Sequence, residues 1–420
     1  MVYSFNKKEG ILIYWNPLKI LGAIKKMKES LFNYRFEYEN QKYIFNTNNN
    51  GLIQINNDIF TEEEREYLRV NRFWVDDNED EIALLEREIN HNIQKRQKEL
   101  ELTIALTNYC NFSCVYCYQN KNEKLMTTEV ANMIIEKIDR ILNDNIFEGI
   151  NIHYFGGEPL LNIPVLIYLD ENIKKITDKI GIVYKAFLTT NGSMLSKELL
   201  QKVKFSSIQL TFDGLEKTHD RLRVSDHFHF KEEIELIENI MNFSQAKVLL
   251  RTNICKENKD EIIALHKYIF EKFGNERIEI NPNRTIKYHQ DDSFEMLSVQ
   301  EYAEVAYQIK LLWSEQKGKF ELPVPRSTPC KFPYGNAYAI SPEGYCTFCS
   351  GSMDQEKKYF FDVDIENKKM FSVRKECKKC NIVPLCLGGC IIQYNLRAGA
   401  CTYEKYELKN ILISYIKHIS

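Results

Sequence analysis
Residues Leu102–Tyr118 read LTIALTNYCNFSCVYCY, an apolar run followed at once by three closely spaced cysteines. The run Leu102–Leu106 has the length and content of a buried strand. Working outward, similar runs recur at Ile150–Phe155, Val183–Leu188, Ser207–Phe212, Val248–Ile254 and Arg277–Ile280. Amphipathic helical segments lie between them, among them Thr127–Asn143 and Pro164–Ile180, the second with its proline at a favourable first position. Strand–helix alternation predicts a parallel sheet with right-handed crossovers. Six units are too few for a closed eight-stranded barrel, so the expected fold is α/β, an open, partial (β/α)6 barrel. In such folds chemistry sits at the C-terminal ends of the strands, which is where Cys110, Cys114 and Cys117 fall.

The 420 residues allow two or three domains. With 59 acidic and 56 basic residues the net charge is −3, which argues against nucleic-acid binding by bulk basic charge. A hydrophobic fraction of 44% and an aromatic fraction of 12% suffice for sizeable cores. No apolar run reaches the roughly 18 residues of a membrane helix. Asn16, Pro17 and Lys19 interrupt the apolar stretch after Lys7 and Lys8, so no signal peptide is expected.

The twelve cysteines are unevenly placed. None precedes Cys110, three fall between Cys110 and Cys117, Cys255 stands alone, and eight crowd between Cys330 and Cys401. Dense disulfide scaffolds belong to short secreted chains. Close spacings in a long chain without an export signal point instead to metal ligation in a reducing, cytoplasmic compartment. Three thiolates at Cys-x3-Cys-x2-Cys suit zinc or an iron–sulfur cluster. A [4Fe–4S] cluster takes four cysteines, so three leave one iron open to a ligand. The alternative is one buried face of a helix.

This motif resembles the signature of the radical S-adenosylmethionine (SAM) superfamily. The resemblance implies a [4Fe–4S] cluster on Cys110, Cys114 and Cys117 whose open iron is chelated by the amino and carboxylate groups of SAM. It also implies reductive cleavage of SAM to a 5′-deoxyadenosyl radical, which abstracts a hydrogen from substrate. Tyr116 fills the aromatic place near the adenine. Gly156-Gly157-Glu158-Pro159, after the second strand, matches the GGEP motif that receives the SAM amino group. Thr189-Thr190-Asn191-Gly192 corresponds to a Q-T-N-G stretch near the ribose, with Thr189 in place of the glutamine. Thr211-Phe212-Asp213-Gly214 resembles S-x-D-G, which would turn Thr211 and Asp213 toward the sugar and the methionyl group. His219-Asp220-x2-Arg223 matches H-D-x-x-R, where the arginine pairs with the SAM carboxylate, a task its planar fork suits. The alternatives are a turn for the glycines and a surface ion pair for Arg223.

The C-terminal cysteines run Cys330-x13-Gly344-x4-Cys349, then Cys377-x2-Cys380-x5-Cys386-x3-Cys390, then Cys401. This resembles the SPASM domain, which implies two auxiliary [4Fe–4S] clusters and three in all. The resemblance puts Cys377, Cys380, Cys386 and Cys401 on the distal cluster and Cys330, Cys349 and Cys390 on the nearer one. Cys346 lies outside the pattern and is a candidate eighth ligand; without it the nearer cluster has an open iron. A zinc ribbon is the alternative for the array. Cys255, after the fifth strand, is either a buried small hydrophobe or a hydrogen donor of the kind used by peptide epimerases of the superfamily.

Three domains are expected: residues 1–95, 96–310 for the barrel and 311–420 for the cysteine-rich region. Ile11–Trp15 reads as a strand, Leu18–Ile24 as helical, Tyr43–Phe45 and Leu52–Ile55 as strands, and Thr61–Glu64 as a capped helix start. Asp80–Glu99 reads as a charged, helical connector. The N-terminal α+β domain resembles, in size, the leader-recognition domains of peptide maturases, which bind a leader as an added strand; the alternative is a cap over the barrel. Sulfatase maturases of the family have Asp where this chain has Ser350, which counts against that activity. The resemblance therefore implies a maturase of ribosomally made peptides that forms an oxidative thioether or carbon–carbon cross-link. Its expected partners are the precursor peptide and a reductant such as flavodoxin or ferredoxin, with no nucleic acid or membrane. A peptide epimerase and a non-enzymatic iron–sulfur or zinc protein are the competing readings.

Overall fold
The computed structural model describes residues 26–55, 60–144, 147–274, 276–287, 293–347, 349–352, 358–363, 370–390 and 401–419. The strand and helix expected within residues 11–24 lie outside them. The described chain divides into two units. Residues 93–305 and 330–363 form one; residues 26–92, 306–329, 370–390 and 401–419 form the other. Assembly thus distributes residues 311–420 over both units.

The second of these units begins with short strands β1 (Met27–Glu29), β2 (Asn33–Tyr38), β3 (Gln41–Asn46), β4 (Leu52–Ile55) and β5 (Trp74–Asp76). β2, β3 and β4 make an antiparallel meander, and β1 pairs with β5. Helix Glu62–Val70 starts at Thr61 with a full capping box to Glu64. Phe36, Phe45 and Leu52 pack against Ile382 and Leu385 of the cysteine-rich segment and against Leu408, Leu412 and Ile416 of helix Glu404–Ile419. The Asn381 amide seals this junction by donating to the Asn33 carbonyl at 3.0 Å.

The barrel unit holds β6 (Glu99–Ala105), β7 (Gly149–Phe155), β8 (Val183–Thr189), β9 (Phe205–Thr211), β10 (Lys247–Ile254) and β11 (Ile278–Arg284). They pair in parallel in that order, as the alternation predicts. Their alternate residues (Ile150, Ile152 and Tyr154; Val248, Leu250, Thr252 and Ile254) are buried under the helices. The other set faces the lumen. Helix Thr128–Asp144 buries Ala131, Ile134, Ile138, Ile141 and Leu142, a spacing of three and four that forms one stripe. Helix Ile163–Ile180 ends on Gly181 in the left-handed conformation (φ 77°), whose N–H reaches the Thr177 carbonyl.

Two features depart from the sequence reading. β11 continues past Ile280, where the sequence reading ended it, through Asn281-Pro282-Asn283-Arg284. At the sheet edge a proline forfeits no ladder bond, and the asparagines face a polar lumen. The sheet also grows on its other side. β12 (Ala337–Ile340) joins β6 in parallel and is followed by antiparallel β13 (Tyr345–Thr347) and β14 (Lys358–Tyr359). The Lys331 ammonium donates to Glu101 at 2.6 Å, so the segment just after Cys330 is tied to the barrel wall.

Candidate functional site
The loop after β6 carries Cys110, Cys114 and Cys117, all half-buried and in irregular backbone, which removes the buried-helix alternative. The three thiols lie within electrostatic reach of one another. The Phe112 N–H points to the Cys110 sulfur at 3.4 Å, and the Asn191 amide approaches it at 3.8 Å. Burial pushes the Cys114 thiol up to about 11. Such a thiol stays protonated at neutral pH, and a bound metal would displace that proton. Among the described residues no three His, Cys, Asp or Glu side chains already stand at metal-ligand spacing. The donor set itself fits iron: soft thiols on one loop with N–H groups directed at sulfur.

Gly156 and Gly157 follow β7 and explain themselves first by packing. Gly156 has φ 143°, and a side chain there would strike the Thr107 carbonyl. A side chain on Gly157 would strike that of Tyr109. The close approach lets Gly157 N–H bond to Thr107 O at 2.8 Å and Glu158 N–H to Tyr109 O at 2.9 Å. The two loops are zipped together, with Gln119 donating to the Gly156 carbonyl at 2.8 Å.

Glu158 is fully buried. Its carboxylate accepts from the Thr190 hydroxyl at 2.6 Å, the Asn191 N–H at 2.6 Å and the Leu160 N–H at 3.0 Å. Burial raises its pKa, and these three bonds oppose the rise. Glu158 therefore braces the loop after β8 against the loop after β7. Asn191 passes the brace on, donating to Asn111 at 2.8 Å.

Asp213, beyond β9, is buried and accepts from the Tyr116 hydroxyl and from the Asn253 N–H at 2.7 Å. Burial raises its pKa, and the Arg223 charge opposes the rise. Arg223 is buried, 5.4 Å from the Phe112 ring centroid and 3.4 Å from the Tyr116 hydroxyl. Burial disfavours its charge, and the nearby carboxylates of Glu233 and Asp213 favour it. Its Nε has no partner among the described residues, which makes it an idle donor beside the cysteine loop. Thr211 is buried and lies opposite Arg251 of β10.

Cys255 is fully buried among Leu222, Phe294, Val115 and Tyr116. Asn258, which the sequence reading missed, ties this corner together. It donates to the carbonyls of Asp213 (2.8 Å) and Asn253 (2.9 Å) and accepts from the Cys255 N–H (2.9 Å). No spacing or periodicity marks it.

Thr189 stands in a line of lumen side chains that the sequence also did not reveal. The Asn283 amide donates to Asn281 (2.9 Å), Asn281 to Gln209 (3.3 Å) and Gln209 to the Thr189 hydroxyl (3.3 Å). That hydroxyl meets His153 Nε2 at 2.7 Å. Burial lowers the His153 pKa to about 4, so the ring is neutral.

In the other unit, Cys377 lies within electrostatic reach of Cys380 and Cys401, and Cys386 within that of Cys380. The Gly388 N–H points to the Cys386 sulfur at 3.4 Å. Cys390 belongs to this unit and is exposed. Cys330, Cys346 and Cys349 belong to the barrel unit; Cys346 is buried, and Cys349 receives the Gly351 N–H at 3.3 Å.

Residues 104–269 match the family model described as the radical SAM superfamily. The chain is 24% identical over 372 residues to the radical SAM cyclopropyl synthase TigE of Paramaledivibacter caminithermalis, covering 78% of this chain and 76% of that one. Some other curated relatives are spanned over only 39% to 53% of their length. The fold is similar to that of anSMEcpe with bound AdoMet (TM-score 0.62, 18% identity, 76% of this chain and 98% of that chain). It is also similar to Streptococcus suis SuiB bound to precursor peptide SuiA (TM-score 0.53, 15% identity, 88% and 97%). Among the described residues no helix is long and apolar enough to cross a membrane.

Proposed function
We propose, from the premise that this chain is a radical SAM enzyme, that it matures a ribosomally made precursor peptide by an oxidative thioether or carbon–carbon cross-link. The observation that carries the reading is the convergence of the Cys110–Cys117 loop, Glu158, Asn191, Asp213 and Arg223 at one end of the barrel strands. When bound, the cluster and SAM supply a 5′-deoxyadenosyl radical that removes a hydrogen atom from substrate. The chain's own residues bind and orient. Cys110, Cys114 and Cys117 hold the iron, and the idle Arg223 donor takes the SAM carboxylate. Tyr116 packs by the adenine, Thr211 and Asp213 border the sugar, and Gly156 and Gly157 allow close backbone approach. Glu158 and Asn191 act mainly by holding the loops that form this pocket, and Thr189 by joining β7 and β9 beneath it.

Two auxiliary clusters complete the proposal, one on Cys377, Cys380, Cys386 and Cys401 and one to which Cys330 and Cys349 contribute, with Cys346 as a further candidate ligand. The β2–β3–β4 meander serves leader recognition, since β2 and β4 each have an outer edge without a partner strand among the described residues. A cytoplasmic reductant of the flavodoxin or ferredoxin type supplies the electron. The likeness to the peptide-bound SuiB fold supports a peptide substrate. Cys255 is walled in by apolar side chains, which favours cross-linking over epimerisation with Cys255 as hydrogen donor.

Anaerobic co-expression with any short peptide encoded beside the gene, followed by tandem mass spectrometry, tests this. The expected product is lighter by about two mass units per event, because one hydrogen atom would leave to the deoxyadenosyl radical and the second as a proton whose electron passes to an auxiliary cluster, and it resists fragmentation between the joined residues. An unchanged mass with a D-residue after hydrolysis would replace cross-linking by epimerisation. Replacing Cys110, Cys114 and Cys117 together by Ala should abolish SAM cleavage while iron bound by the C-terminal cysteines remains.

A further inference from the structure
Among the described residues, the lumen face of β10 carries a cation without a counter-ion. Val248, Leu250, Thr252 and Ile254 are buried on the helix side, so Arg251 and Asn253 face inward. Arg251 Nε donates to Asn253 Oδ1 at 2.8 Å, which fixes one edge of the guanidinium. Among the described residues no carboxylate pairs with it. Its neighbours across the sheet are Thr211 and Asn281, both neutral.

Position gives this charge its meaning. The backbone N–H of Asn253 donates to Asp213, so Arg251 sits one strand layer below the residues that border the SAM pocket. Across the same face runs the neutral line from Asn283 to His153, and the charge near its far end, Lys331, is already paired with Glu101. A half-buried guanidinium among amides and hydroxyls costs free energy unless an anion arrives. Its free fork matches a carboxylate through two parallel hydrogen bonds.

We propose that Arg251 receives a carboxylate of the peptide at or beside the residue that loses hydrogen, either an Asp or Glu side chain or the peptide's C-terminus. The inference rests on the peptide reading above and names the chemistry that the lumen selects.

The test uses the cluster-loaded, SAM-bound protein, immobilised. An equimolar pool of peptides Ac-Gly-Gly-Ser-X-X-X-Ser-Gly-Gly, half amidated and half with free C-termini, is passed over it, and retained peptides are sequenced by mass spectrometry. Asp and Glu at X should be enriched about tenfold over Asn and Gln, or the free-carboxylate arm about tenfold over the amidated arm. The first result identifies a side chain and the second a terminus. Arg251→Gln should lose the enrichment while still retaining peptides. Arg251→Lys, which keeps the charge but not the fork, should show a reduced preference, and it serves if the Gln variant does not fold. The inference is overturned by a wild-type pool without acid preference, by a preference unchanged in Arg251→Gln, or by a variant that loses SAM affinity instead. Peptides retained without preference sink this inference alone; no peptide retained sinks the peptide reading with it.

Discussion
A methyl group on Gly157 would occupy the space of the Tyr109 carbonyl, and that contact zips the loop after β7 to the cysteine loop. The position tolerates no side chain, whatever it does for a ligand. Gly157→Ala should therefore lower stability by about 1–3 kcal/mol, as an overpacking change does. It should also weaken SAM binding, because the cysteine loop must move. A urea midpoint and SAM affinity both equal to wild type would show that the two loops are not mechanically joined. Glu158 makes the same point from the polar side. Its motif reads as a ligand for an ammonium group, yet its two oxygens already accept from Thr190, Asn191 and Leu160. The motif was legible in the sequence; the brace it forms was not, because Thr190 and Asn191 lie 32 and 33 residues away.

At the scale of elements, the parallel strands and their order followed from alternation alone, and helices 128–144 and 163–180 fall within a residue of where apolar spacing puts them. What alternation does not encode is how the loops at the strand ends are tied. Asn258 joins the ends of β9 and β10 with three hydrogen bonds and is fully buried. At about 1 kcal/mol per bond, Asn258→Ala should cost about 3 kcal/mol. Hydrogen exchange should quicken at the amides of Asn253 and Cys255, which report on that corner. Exchange unchanged there, with stability lost elsewhere, would remove Asn258 from its assigned place.

For the whole molecule, His153 and His266 contribute to the response to acid. Burial holds His153 and His266 neutral with pKa about 4, against 6.5 in the unfolded chain. Between those values the unfolded state binds two protons that the native state does not. Stability is therefore full above about pH 6.5 and falls toward pH 4, by up to about 1.4 kcal/mol per pH unit for each histidine. His266 lies outside the candidate site, beside Thr252 at 3.2 Å. His266→Gln should remove about half of this slope when urea unfolding is followed from pH 7 to 4.5; an unchanged slope would assign the acid response to carboxylates.

By itself the sequence determined the barrel class, the three-cysteine loop, the pocket motifs and the cysteine-rich C-terminal region. Each is written in spacings of a few residues, where one strand, one turn or one loop holds the whole signal. Only the tertiary structure decided that Cys330–Val363 joins the barrel through β12, while residues 370–390 and 401–419 pack with the N-terminal meander. It alone placed Arg251 below Asp213 with no carboxylate partner among the described residues, and drew the polar line from Asn283 to His153. Those arrangements join residues tens to hundreds of positions apart. They arise because buried polar groups must find partners wherever the packed strands bring them.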